Sequence, residues 1–113
     1  MIVRQGDPGD SVYALIDGIA EAWLEDPSQR PVLLRTMGSG QLFGETAVLY
    51  RGPRSATIKA KTELITIKLP GSVFIELLRS TPEVALRVAV TLAQRLASDR
   101  HTLISDPTDL GAD

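Results

Sequence analysis

The sequence predicts a mainly β protein with a helical tail, and three observations carry that prediction. Through the first two thirds, short runs rich in Val, Ile, Leu and Thr alternate with Gly, Pro, Asp and Ser clusters about every dozen residues, as antiparallel strands and their turns do. No helical period separates these runs, which argues against a βαβ arrangement and leaves a sandwich, a jelly roll or a barrel. After Pro70-Gly71 the apolar period lengthens to that of a helix.

Each element follows from local chemistry. Met1 to Arg4 reads as a short strand that stops at the turn cluster Gln5-Gly6-Asp7-Pro8-Gly9-Asp10. Ser11 to Ile16 and Ile19 to Glu25 flank Asp17-Gly18, a dipeptide that tolerates positive φ, and so predict a hairpin. Asp26 to Pro31 breaks the chain, Val32 to Thr36 resumes a strand, and Gly38-Ser39-Gly40 breaks it again. Ser55 to Lys61 and Leu64 to Leu69 read as a further strand pair, with Ala56, Ile58 and Ala60 on a dry face and Thr57, Lys59 and Lys61 on a wet one. Ser72 is placed to cap a helix over Val73 to Arg79. Thr81 then precedes Pro82, a residue suited to a first helical position, and the final helix is predicted from Pro82 to about His101. That helix carries two adjacent apolar stripes, Ala85, Ala89, Leu92 and Leu96 beside Leu86, Val90, Ala93 and Ala97. One stripe can cover the barrel while the other meets a second subunit, which would make a homodimer, or both can touch the barrel.

A length of 113 residues bounds the chain to a single domain, read here as 1–101, with 102–113 as a frayed tail or linker. The 12 Lys and Arg against 14 Asp and Glu leave a net charge of -2, so nucleic acid is not an expected partner of this segment alone. The apolar stretch Val84 to Ala93 is interrupted by Arg87 and is too short to insert in a membrane. No basic start precedes an apolar run, so no signal peptide is read. The sequence has no cysteine and a single histidine, which excludes a disulfide framework and a zinc site of nitrogen and sulfur ligands, and favours a cytoplasmic setting.

The segment richest in chemistry is Phe43 to Thr57, Phe-Gly-Glu-Thr-Ala-Val-Leu-Tyr-Arg-Gly-Pro-Arg-Ser-Ala-Thr. Gly44 permits close backbone approach, Glu45 to Leu49 is long enough for one helical turn, and the free N–H groups at its start attract an anion. Arg54, at the end of a Gly-Pro loop, brings a planar fork suited to two phosphate oxygens, and Ser55 adds a hydroxyl. Glu45 beside an anion site needs a second role, and accepting a hydrogen bond from a ligand hydroxyl supplies one. A phosphate together with a sugar hydroxyl describes a nucleotide. Other motifs fall away: Gly38-x-Gly40-x-x-x-Gly44 has the wrong spacing for a dinucleotide fingerprint, and Glu45 stands where a Walker loop needs Lys. Asp7 and Asp10 lack the remaining ligands of a calcium loop. His101 reads as a favourable charge at a helix C-terminus, and Tyr13 and Trp23 as barrel packing, with contact to a ligand base as the alternative.

This segment resembles the phosphate-binding cassette of cyclic-nucleotide-binding domains, found in cyclic-AMP-dependent kinase regulatory subunits, cyclic-nucleotide-gated channels and bacterial catabolite activators. A second signature of that family, Gly-Asp-x-Gly-Asp-x-x-Tyr, matches Gly6, Asp7, Gly9, Asp10 and Tyr13, with the strand closing at Gly18. The resemblance runs from Met1 to about Leu96 and implies a jelly-roll β-barrel, a double-stranded β-helix of eight strands, with a short cassette helix and C-terminal helices. It implies no catalysis, and a regulatory module whose ligand is cyclic AMP or cyclic GMP. The ligand set it implies is Phe43, Gly44, Glu45, Thr46, Ala47, Arg54, Ser55 and Ala56, with Glu45 on the ribose 2′-hydroxyl and Arg54 on the cyclic phosphate. Leu96, Asp99, Arg100 and Leu103 take the place of a lid.

Two departures qualify the match. The family begins with a helical segment and one more strand before the position of Ile2, so the first barrel strand is expected to be missing. Asp99 and Arg100 stand where the catabolite-activator branch has two base-contacting hydroxyls, so discrimination between cyclic AMP and cyclic GMP is expected to be modest. Ser55 stands where cyclic-GMP kinases often have Thr and cyclic-AMP relatives Ala, and cyclic AMP is favoured on frequency alone. The rival reading is a degenerate, nucleotide-free domain used for oligomerisation or docking.

Overall fold

The computed structural model describes residues 2–103, of which 99–103 are described by backbone alone. Six strands and three helices follow in the order β1 (Ser11–Asp17), β2 (Ala20–Leu24), β3 (Val32–Met37), β4 (Leu42–Phe43), α1 (Glu45–Tyr50), β5 (Thr57–Ala60), β6 (Ile65–Pro70), α2 (Gly71–Ser80) and α3 (Pro82–Leu103). The strands form two antiparallel sheets, β4-β1-β6 and β3-β2-β5.

Neither predicted strand pair exists. β1 pairs with β4 and β6, whereas β2 pairs with β3 and β5. At Asp17-Gly18 only Gly18 has positive φ, at 100°, so the bend lacks the double positive φ of a tight hairpin turn and carries the chain from one sheet to the other. The 61–64 turn does the same beside it, with the Ile19 N–H bonded to Thr62 Oγ1 at 2.9 Å and the Lys61 N–H to Ile19 O at 2.8 Å. Thus β1-β2 and β6-β5 run together as a two-stranded ribbon across both sheets, which is the winding of a jelly roll. Met1 to Arg4 also departs from expectation. Among the described residues it holds a single β-bridge, Val3 with Ile58, rather than a named strand.

β1 explains the winding. Val12 and Leu15 are both fully buried, on opposite sides of the strand. Leu15 joins Val3, Ala20, Ala22, Met37, Phe43, Ala56 and Ile58 inside the barrel, while Val12 joins Phe74 and Val88 under the helices. A strand with two apolar faces needs cover on both. The dry and wet faces predicted for Ser55 to Lys61 are only half correct, because Thr57 is fully buried while Ala60 is exposed. The Thr57 hydroxyl donates to Glu25 Oε1 and accepts from the Gln5 N–H, so its burial leaves no orphaned polar atom. In the connection to β3, Asp26 Oδ1 accepts from the N–H and the hydroxyl of Ser28, which holds its carboxyl below the ordinary value.

Ser72 does not cap α2. The helix starts two residues earlier, at Gly71 after Pro70, where the Gly71 N–H bonds Asp10 O at 2.7 Å and a Cβ would lie 2.9 Å from that oxygen. α3 begins at Pro82 as expected, with Thr81 accepting through its backbone carbonyl from Val84 and Ala85. Its barrel-facing stripe is not the predicted pair. Val84, Val88, Leu92 and Arg95 face inward, whereas Ala89 and Leu96 are exposed, as are Leu86, Val90, Ala93 and Ala97.

Candidate functional site

The two signature segments are locked to each other by backbone. The Gly6 N–H donates to Arg54 O at 2.9 Å and the Arg54 N–H to Asp7 O at 2.8 Å. A Cβ on Gly9 would stand 2.4 Å from Ala47 Cβ and 2.8 Å from Arg54 Nε, so only glycine lets this loop lie against the cassette. Gly44, with φ 85°, turns the chain from β4 into α1, and its carbonyl faces the Arg54 guanidinium.

Arg54 is 7% exposed. Its Nη1 donates to Gly44 O at 2.8 Å, its Nη2 to Ser11 Oγ at 3.3 Å, and its guanidinium lies 5.9 Å from the Tyr13 ring centroid. These contacts hold the fork at the cassette rather than in solvent, and they are neutral acceptors that an anion would outbid. Glu45, first residue of α1, is 2% exposed. Its Oε1 accepts from Arg95 Nη1 on α3, and Arg95 Nη2 donates to Leu42 O. Glu45 Oε2 is buried and has no hydrogen-bond partner. An orphaned carboxylate oxygen in the interior is costly, which marks it as a place where a ligand donor would be welcome.

Two cavities meet here. A small one of about 20 Å³, room for a single water, is lined by Gly44, Glu45, Thr46, Ala47, Arg54, Ser55 and Ala56, with Val3, Arg35 and Ile58 closing it. A larger one of about 420 Å³ lies between the cassette and α3, walled by Leu49, Tyr50, Leu92, Arg95 and Leu96. Arg35, Thr46 and Ser55 line both, so the two cavities lie side by side. The larger volume falls in the range of small-molecule sites. A wider groove of about 940 Å³ runs behind α1, but it is open and includes neither Glu45 nor Arg54.

Seven of the eight cassette residues singled out from the sequence therefore converge on one cavity. Phe43 is the exception, because it stacks on Tyr13 inside the barrel at 5.0 Å and lines neither cavity. Leu96 lines the larger cavity while remaining 71% exposed. The side chains of Asp99, Arg100, His101 and Leu103 lie outside the described residues, as does the tail from 104. Sequence reading missed Arg35 and Arg95. Arg95 had a signal: it falls 11 positions after Val84 on a stripe of buried apolar residues, where a charge calls for a partner. Arg35 had none beyond a charged residue in a strand. Among the described residues no acidic, His or Cys cluster could hold a metal ion, and no helix is long and apolar enough to cross a membrane.

Comparison with known proteins agrees with this architecture. Lysophospholipase nte1 of Aspergillus fumigatus is 31% identical over 96 residues, covering 85% of this chain and 6% of the enzyme. The structure of the Thermus thermophilus catabolite activator protein superposes with a TM-score of 0.79 at 31% identity, covering 90% of this chain and 48% of that one. The regulatory domain of Toxoplasma gondii protein kinase A, solved with cyclic AMP, superposes with a TM-score of 0.68 at 31% identity, covering 80% and 35%. The chain thus spans less than half the length of these relatives. Residues 1–81 match the family described as the cyclic nucleotide-binding domain, and the chain belongs to that family.

Proposed function

We propose that the chain is a regulatory module that takes a cyclic nucleotide into the cassette and relays its binding to α3, with cyclic AMP preferred over cyclic GMP. The observation that carries this reading is the buried, partnerless Glu45 Oε2, in a cavity also lined by Arg54 and Ser55. The ribose 2′-hydroxyl donates to Oε2. The cyclic phosphate draws Arg54 from Gly44 O and Ser11 Oγ onto its own oxygens, and Gly44, Ala47 and Ser55 supply further donors. The base lies in the larger cavity against Leu49, Leu92 and Leu96. The small cavity, about 20 Å³, has room for no more than one water, so the cassette has to open for the phosphate, and that opening moves Glu45. Because Glu45 is tied to Arg95, the movement reaches α3. No step of this is catalytic. The preference for cyclic AMP leans on relatives such as the Toxoplasma domain.

The exposed apolar face of α3, with Leu86 at 66% and Leu96 at 71%, favours a homodimer through this helix as a companion property. It also suits the second reading, a nucleotide-free oligomerisation or docking domain. A cytoplasmic location fits the absence of cysteine.

Calorimetric titration of cyclic AMP into the protein and its Arg54→Ala variant is the test. Truncating one side of a buried charge pair costs about 2 to 5 kcal/mol, so affinity should fall at least tenfold. Arg54→Lys should restore part of it, since the charge returns without the fork. A folded variant that loses less than threefold removes the cassette reading. A folded wild-type protein that binds no cyclic nucleotide yet self-associates supports the docking reading.

A further inference from the structure

We infer that the outer edge of β6 pairs with the same edge of a second copy of this chain, as an antiparallel strand pair that joins the two β4-β1-β6 sheets into one. β6 is the last strand of its sheet, with β1 on one side and, among the described residues, no strand on the other. The edge of β5 differs, because Ile2 and Val3 cover part of it through backbone bonds to Ile58. The backbone directions along β6 follow from those of β1. Leu15 spends its N–H on Gln41 O and its carbonyl on the Gly40 N–H, both at 2.8 Å, so it turns away from Thr66, which lies opposite it on β6. At the other end of the strand the Gly71 N–H reaches Asp10 O. Antiparallel ladders alternate, so Ile67 and Leu69 aim their backbone groups at β1, whereas Thr66 and Lys68 each aim an N–H and a carbonyl outward. Such a row is a template for another strand.

The side chains select a second copy as that strand. Ile65, Ile67 and Leu69 share the outer face, where Leu69 lies opposite Val12 beneath the helices, and Ile65 and Ile67 are 58% and 52% exposed. A two-fold axis at Ile67 sets Ile67 against its own copy, Ile65 against Leu69, and Thr66 against Lys68, whose outward N–H and carbonyl groups then bond in both directions. Moving the axis to Lys68 would oppose two lysines and bring in Pro70, which has no N–H, and moving it to Thr66 would set Leu69 against Glu63. Lys68 does not guard the edge as an edge lysine often does, because its ammonium lies 5.9 Å from the Tyr13 ring centroid, on the face opposite the apolar stripe.

The experiment is sedimentation equilibrium over a protein concentration series, on the wild-type chain and its Thr66→Pro, Ile67→Lys and Leu86→Glu variants, each checked for fold by circular dichroism. Thr66→Pro removes an outward N–H that an edge strand can spare, and Ile67→Lys opposes two like charges across the pair. Each should weaken self-association about tenfold or more, while Leu86→Glu, on the exposed face of α3, should leave a dimer in place. Wild-type protein that stays monomeric throughout, or self-association that Leu86→Glu abolishes and Thr66→Pro does not, overturns the inference. Should the strand variants fail to fold, amide exchange on the wild-type chain decides. The Thr66 and Lys68 N–H groups should exchange several-fold more slowly at high than at low protein concentration, with Ile67 and Leu69 slow at both. Fast exchange of Thr66 and Lys68 at every concentration overturns the inference, and so does their protection in a monomer, which would mean that the chain covers its own edge. None of these outcomes bears on what the cassette binds.

Discussion

Glu45 has two oxygens with different fates. Oε1 holds Arg95, and Oε2 stands buried without a partner. Substituting Gln removes the charge from both functions, so the two have to be separated by the choice of ligand. Glu45→Gln should weaken binding of cyclic AMP by roughly tenfold and leave its 2′-deoxy analogue nearly unchanged, because the analogue lacks the hydroxyl that Oε2 would accept from. Equal losses for both ligands would mean that Glu45 organises the loop and does not read the sugar. Gln also leaves the buried Arg95 guanidinium with a weaker partner, so a lowered melting temperature is expected beside the ligand effect. The convergence of Glu45 and Arg54 on one cavity was legible because Phe43 to Thr57 is one contiguous stretch whose spacing is set by a single turn of helix and a short loop. Arg95 lies 50 positions from Glu45, and nothing local in the sequence joins them.

At the scale of the element, the proposed relay of binding depends on α3. It is held to the rest of the molecule by Val84, Val88 and Leu92 packing toward Phe74 and Val12, and by Arg95 reaching Glu45 and Leu42. The barrel is tied by two sheets of ladder hydrogen bonds, whereas α3 has no ladder and is joined to α2 through Ser80-Thr81-Pro82. Binding should therefore alter amide exchange in the described part of α3, from Pro82 to Leu103, more than in β1 or β2. Uniform protection of barrel and helix, or none in the helix, would leave a binding site without a switch. The length and start of α3 were readable from its period and from Pro82. Its buried face was not, because the helix offers apolar residues on more than one side and only the position of Phe74 and β4 selects Val84, Val88, Leu92 and Arg95.

For the whole molecule, the jelly-roll winding depends on two places where the chain changes sheets, and Gly18 stands at one of them. Its φ is 100°, and a Cβ there would lie 2.3 Å from Glu63 O in the adjacent crossing. Gly18→Ala should therefore cost about 2 kcal/mol or more, combining the strain of positive φ with the collision, and lower the melting temperature by roughly 10 °C. A thermal unfolding curve checks it, and a shift below about 2 °C would show that the crossing relaxes freely. By itself the sequence determined that this protein is mainly β with two terminal helices and where its turns fall, and it marked Phe43 to Thr57 as the candidate site, because those properties depend on the dihedral preferences of Gly and Pro, on apolar period and on short spacings. Only the tertiary structure decided which strands pair, since Asp17-Gly18 specifies a bend but no partner, and the partner is chosen by burial of both faces of β1. It alone decided, too, that Phe43 leaves the cassette for the core and that Arg35 and Arg95 enter it, because a strand or helix residue reaches a distant site through packing that leaves no trace in neighbouring residues.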